Sequence, residues 1–142
     1  CDLYGTVGED TKKRLLSLAT KDTRKRLNFK GFYANVWDNI DDADVLCLTS
    51  KYEGLGMVLI EAASHGIGLV SSNCPVGPDD IVNSDNGYLY TPGDVNMLSS
   101  ILQNIVDKKN LLQPVEIVTK SVSKFGYINF RKRIIKSLNV KD

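Results

Sequence analysis

Two carboxylates with seven residues between them, Glu53 and Glu61, bracket Gly54, Gly56 and the apolar run Met57-Val-Leu-Ile60. Ionised carboxylates only accept hydrogen bonds, so such a pair faces hydroxyl or other donors. Glycines beside them allow a left-handed backbone and a close approach to main-chain N–H groups. The first N–H groups of a helix lack internal partners and lie at the positive end of its dipole, which suits a phosphate or a sugar hydroxyl. A ligand with both hydroxyls and phosphate describes a nucleotide sugar. The plainer reading is a strand, a glycine loop and a helix of any α/β domain, with a Glu that complements the helix dipole.

The elements that must position these residues are legible around them. Asp44-Val-Leu-Cys-Leu-Thr49 is an apolar, branched run that suits a strand buried on both faces, with Cys47 in the core. Met57 to His65 has few breakers and stops at Gly66, which predicts a helix with a glycine cap. Ahead of them, Leu3-Tyr-Gly5 reads as a strand, Thr6-Val-Gly8 as a turn and Glu9–Ala19 as a helix with Leu15, Leu18 and Ala19 at helical spacing. Asn28-Phe-Lys-Gly31 reads as a second strand, and Val36–Ile40 as a helical turn with Trp37 and Ile40 inward. Behind them come a strand over Ile67–Ser71, a short helix with Pro78 in its first turn, an Asn86-Gly87 turn, and an edge strand at Tyr88–Tyr90. Asp94 is an N-cap for a helix over 95–107 that buries Leu98, Ile101, Leu102, Ile105 and Val106. Residues 110–123 and 125–138 read as two further helices. Alternating strands and helices predict an α/β fold, a Rossmann-like parallel sheet flanked by helices, which binds ligands at the carboxyl ends of its strands.

The run Glu53-Gly-Leu-Gly-Met-Val-Leu-Ile-Glu61-Ala-Ala-Ser-His-Gly66 resembles the Glu-x7-Glu signature of retaining GT-B glycosyltransferases of the family-4 type, written E-G-[FL]-G-x-[VP]-x-x-E-A-x-x-x-G. Asn28-Phe-Lys-Gly-Phe32 resembles that family's V-x-F-x-G strand, and Ala43-Asp-Val-Leu-Cys-Leu-Thr-Ser50 its A-D-[VL] strand. Ser72-Asn-Cys-Pro-Val-Gly-Pro-Asp-Asp-Ile-Val82 and Asn86-Gly-Tyr-Leu-Tyr-Thr-Pro-Gly-Asp94 resemble its D-C-P-x-G-P-x-E-I and G-x-L-x-x-P-G-D segments. The five segments keep the family's order over residues 1–108. Two positions depart from it: Gly68 stands where Pro is usual, and Asp80 where Glu is usual.

The resemblance implies the donor-binding, C-terminal domain of a group 1 transferase, spanning 1–142 with a C-terminal helix over 124–138. Such a domain transfers a sugar from a nucleoside-diphosphate sugar, UDP-linked by expectation, to an acceptor hydroxyl in polysaccharide or glycolipid synthesis. It implies that Glu53 faces the donor sugar as the catalytic carboxylate. By the same resemblance Gly56, Met57 and Val58 offer N–H groups to phosphate and sugar oxygens, and Glu61 holds the ribose hydroxyls. Gly5 and Gly8 stand where a glycine turn contacts the donor phosphates, although G-x-G is the commoner spacing. Phe32 and Tyr33 stand in the loop that frames the base; alternatively both rings cover the sheet edge. The family needs no metal, and the sequence has no ligand cluster. Its diphosphate-binding basic pair and its acceptor domain would precede Cys1, so the chain reads as a fragment, inactive alone. The contrasting expectation is a non-catalytic nucleotide-binding or interaction module, a role that has no physical need for both carboxylates.

Composition narrows the remaining classes. The 142 residues are 42% apolar and 25% charged with net charge +1, the mix of a globular domain without the basic excess of nucleic-acid binders. The three cysteines are widely spaced and suit reduced, cytoplasmic thiols. No run is long and apolar enough to span a membrane. Arg131, Lys132, Arg133 and Lys136 read as a solvated basic face or as a peripheral contact with an acidic inner membrane surface. His65, the one histidine, stands before the helix-capping glycine, where the dipole favours it.

Overall fold

The computed structural model describes residues 1–40, 42–108 and 111–138. It contains two compact units, Cys1–Asp42 and Ala43–Asp142.

In the first unit, strands β1 (Asp2–Tyr4) and β2 (Asn28–Gly31) pair in parallel, Asp2 opposite Asn28, across helices α1 (Glu9–Leu18) and α2 (Lys21–Arg24). The Asp2 carboxylate ties the pair together, accepting from Asn28 Nδ2 at 2.7 Å and lying 3.3 Å from Lys30 Nζ. Helix α1 matches its expected span, but not its expected inner face. Leu15 and Leu18 are exposed, while Lys12, Leu16 and Ala19 are half-buried. Residues 12, 16 and 19 share one helical face just as 15, 18 and 19 do, and the Lys12 stem lies inward with its ammonium 5.2 Å from the centre of the Phe29 ring. A short 3-10 turn at Trp37–Asn39 follows, with Trp37 and Ile40 half-buried.

The second unit is built on a three-stranded parallel sheet, order β3-β4-β5, from Val45–Leu48, Gly68–Ser72 and Gly87–Tyr90. The central strand β4 is buried along its whole length. The outer strand β3 is only half-buried and Cys47 is exposed, contrary to the expected interior strand. As an edge of this sheet, β3 has a strand neighbour on one side only.

Helix α3 (Met57–Ser64) joins β3 to β4 and buries Leu59, Ala62 and Ala63. It stops as expected: Gly66 N–H donates to the Ala63 carbonyl and Ile67 N–H to that of Ala62, a Schellman closure. Helix α4 (Pro78–Ile81) joins β4 to β5. Helix α5 (Val95–Lys108) packs Leu98, Ile101, Leu102 and Ile105 around Val70 and Tyr90, whereas Val106, expected inside, is 70% exposed at the margin of that stripe. The expected helix over 110–123 is shorter, α6 at Val115–Ser121. Pro114 sets its start, because proline offers no N–H and drives the preceding residue out of helical geometry. Leu111 and Leu112 instead pack from a turn against the same core; Asn110 lies outside the described residues. Helix α7 (Tyr127–Ser137) ends the described chain.

Candidate functional site

The eight residues between Leu48 and the first turn of α3 form a loop at the carboxyl end of β3. Its centre is Glu53, half-buried, whose Oε1 accepts a 2.5 Å hydrogen bond from Ser50 Oγ. The backbone carbonyl of that same Ser50 accepts from the buried Ser72 hydroxyl at the end of β4, at 2.6 Å. One residue pair therefore holds the loop and its carboxylate to the central strand.

The loop enters α3 through Gly56, the N-cap, at φ 76° and ψ 48°. That left-handed geometry is costly for residues with a side chain and turns the chain sharply into the helix. Leu59 N–H closes the first turn on the Gly56 carbonyl at 2.9 Å, which leaves Met57 and Val58 with the first two N–H groups of the helix. Met57 is exposed and Val58 half-buried. Glu61, one turn further, is exposed on a helix whose opposite side carries Leu59, Ala62 and Ala63. Glu53, Gly56, Met57, Val58 and Glu61 thus stand on one loop-and-helix entrance. His65 is the C-cap residue of α3, the structural place expected for it.

A second loop backs the first. After β4 the chain runs through Pro75 and Val76 to Gly77, which is the N-cap of α4 at φ 107°. A Cβ built on Gly77 would lie 2.5 Å from the Leu55 carbonyl oxygen. Only glycine allows this approach to the Glu53 loop. Beside it, Val76 is the only non-glycine residue with positive φ among the described residues, and its side chain is 67% exposed. Asp80 lies exposed on α4, and its main-chain carbonyl accepts from Lys124 Nζ at 2.8 Å.

Within the first unit, Gly5 follows β1 at φ 109° and its N–H donates to the Gly31 carbonyl at 2.7 Å. Gly8 is the N-cap of α1. Phe32 and Tyr33 follow β2 on the same side of that strand pair as Gly5. Phe32 is 76% exposed, while the Tyr33 ring leans on Tyr4 with centroids 6.1 Å apart.

Sequence reasoning missed Ser50, Ser72 and Gly77 as parts of this site. Ser50 and Glu53 are only three residues apart, so their pairing lies within local reach of the sequence. The Ser72 and Gly77 contacts had no local signal.

Comparison with known proteins follows the same lines. The family model "Glycosyl transferases group 1" matches residues 2–119. The lipopolysaccharide 1,6-galactosyltransferase of Salmonella typhimurium is 31% identical over 123 residues, 80% of this chain and 34% of its own length. The Escherichia coli enzyme of the same name is 37% identical over 86 residues, 57% of this chain and 24% of its own length. The apo form of the lipopolysaccharide outer core galactosyltransferase WaaB superposes with a TM-score of 0.83 at 26% identity, over 96% of this chain and 39% of that one. HepE of Anabaena in complex with UDP shares the fold at 23% identity and a TM-score of 0.77. The matches thus span about a quarter to a third of the length of these curated relatives. Among the described residues no helix is long and apolar enough to cross a membrane.

Proposed function

Starting from a chain that belongs to the group 1 glycosyl transferases and has a GT-B glycosyltransferase fold, we propose that it supplies the donor site of a retaining transferase. In this reading a UDP-linked sugar is the donor and a hydroxyl of a polysaccharide or glycolipid precursor the acceptor. The observation that carries it is the fixed Glu53 carboxylate beside the left-handed Gly56 entrance of α3. As the sugar leaves, negative charge grows on the diphosphate and positive charge on the sugar ring. The N–H groups of Gly56, Met57 and Val58 meet the first, and the Glu53 carboxylate stands by the second. Glu61 holds the ribose hydroxyls. In the first unit, Gly5 and Gly8 serve the phosphates, and Phe32 and Tyr33 the base. No metal takes part. The galactosyltransferase names of the relatives support a hexosyl donor and a lipopolysaccharide-like acceptor. The acceptor domain and the basic residues for the diphosphate lie outside this chain, and the whole enzyme works at the cytoplasmic face of the membrane.

Calorimetric titration of the chain and of Glu61→Ala with UDP, GDP and their sugars tests the reading. Heat with UDP that weakens at least tenfold in affinity in the variant, about 1.4 kcal/mol, is the expected result. Equal affinity of the two proteins would overturn the ribose role, and preference for GDP would overturn the base.

A further inference from the structure

We infer that Ser50 is a positioning residue for Glu53, and that Ser72 sets the position of Ser50. The inference rests on the reading of Glu53 as the carboxylate facing the donor sugar. Glu53 lies in a loop, and a loop carboxylate on three rotatable bonds samples many orientations unless something holds it. Here the Ser50 hydroxyl donates to Oε1 at 2.5 Å, which selects one rotamer and leaves Oε2 for other donors.

A hydroxyl three residues away can hold the carboxylate only if its own backbone is held. That is the part played by Ser72. Its side chain is buried, and its hydroxyl gives its proton to the Ser50 carbonyl at 2.6 Å. On the far side of β4, the Tyr90 hydroxyl from β5 reaches the Leu48 carbonyl at 3.4 Å, two residues before Ser50. The end of β3 is therefore anchored by side chains from both other strands of the sheet. The line of hydrogen bonds runs from the central strand through Ser72 and Ser50 to the carboxylate. Neither serine needs to touch the donor for this.

The test compares Ser50→Ala, Ser50→Thr, Glu53→Gln and the double variant in the full-length transferase that carries this chain. Loss of the anchor misplaces the carboxylate, so Ser50→Ala should lower kcat about tenfold while the donor KM moves less than about twofold. Ser50→Thr keeps the hydroxyl and should recover most of the rate. The double variant should be no slower than Glu53→Gln, because Ser50 has nothing left to position. An unchanged rate in Ser50→Ala, additive losses in the double variant, or failure of Thr to rescue would each overturn the inference. Glu53→Gln at full rate would instead overturn the reading it rests on.

A second measurement needs no turnover. Side-chain NMR of the 142-residue chain with isotope-labelled glutamate should show one Glu53 rotamer in the parent and in Ser50→Thr, and averaging in Ser50→Ala. Averaging already in the parent would refute it.

Discussion

Gly77 sits at φ 107° with the Leu55 carbonyl oxygen 2.5 Å from where a methyl would stand. Gly77→Ala must therefore either strain its own backbone or push the Glu53 loop away from β4, and in a close-packed contact it does both. We expect a loss of about 2 kcal/mol or more, seen as a lower urea midpoint, together with weaker donor binding. Gly56→Ala is milder. Its φ costs about 1 kcal/mol, and the added methyl meets side chains only, Leu59 Cδ1 at 3.2 Å and Ile81 Cδ1 at 3.9 Å. Asn86 shows the same dependence on surroundings in a purely structural role. Although the Asn-Gly pair reads as a tight turn, its side chain is 2% exposed and donates to the Ile81 carbonyl at 2.9 Å and to Ser121 Oγ at 2.8 Å, while its oxygen accepts from Asn83 N–H. Asn86→Ala removes all three hydrogen bonds and leaves the Ile81 carbonyl only the long 3.4 Å bond from Asn83 Nδ2, and denaturant unfolding should report a cost of about 1–3 kcal/mol.

The strands and helices follow local rules until a neighbour intervenes. Asp94 caps α5 as its residue type dictates, its Oδ1 accepting from Met97 N–H at 2.8 Å, and Asp94→Ala should cost about 1 kcal/mol in thermal unfolding. In β5, burial raises the Tyr90 phenol above its ordinary value of 10.0. The folded chain then holds that proton more tightly than the unfolded one. Its contribution is complete below pH 10 and falls as pH climbs through the raised value. Chemical denaturation between neutral and strongly alkaline pH should show a downward slope that Tyr90→Phe flattens; an equal slope in the variant would refute it. Gly68 explains one departure from the family pattern at this scale. Its N–H donates to the Asp44 carbonyl at 3.1 Å, a bond that proline lacks, and Leu112 Cδ2 occupies the space a side chain would need.

At the scale of the whole molecule the chain matches about a quarter to a third of the length of its curated relatives. In the function proposed above, residues outside the chain complete the active site, and electrostatic stabilisation of a leaving diphosphate depends on every donor aimed at it. We therefore expect no turnover from the 142 residues alone and only weak donor affinity, measured by product release from a radiolabelled UDP-sugar. Measurable transfer by the isolated chain would overturn this. The net charge of +1 predicts that donor capture by this chain depends little on long-range attraction, because there is no strong overall field to screen with salt.

Residue type and short spacing were enough to determine the order of strands and helices, the starts and stops at Gly56, Gly66, Pro78 and Asp94, and the resemblance that led to the family. These depend on a few neighbouring residues, and the backbone physics of glycine, proline and capping side chains acts within that range. The inner face of α1, the exposure of Cys47 and Val106, and the late start of α6 depended on which surfaces were available for packing. The hold on Glu53 was the most distant of all, since Ser72 and Ser50 are 22 residues apart and meet only because β3 and β4 lie side by side in register. Spacing placed the carboxylate on its loop, but only pairing of the strands could decide what keeps it there.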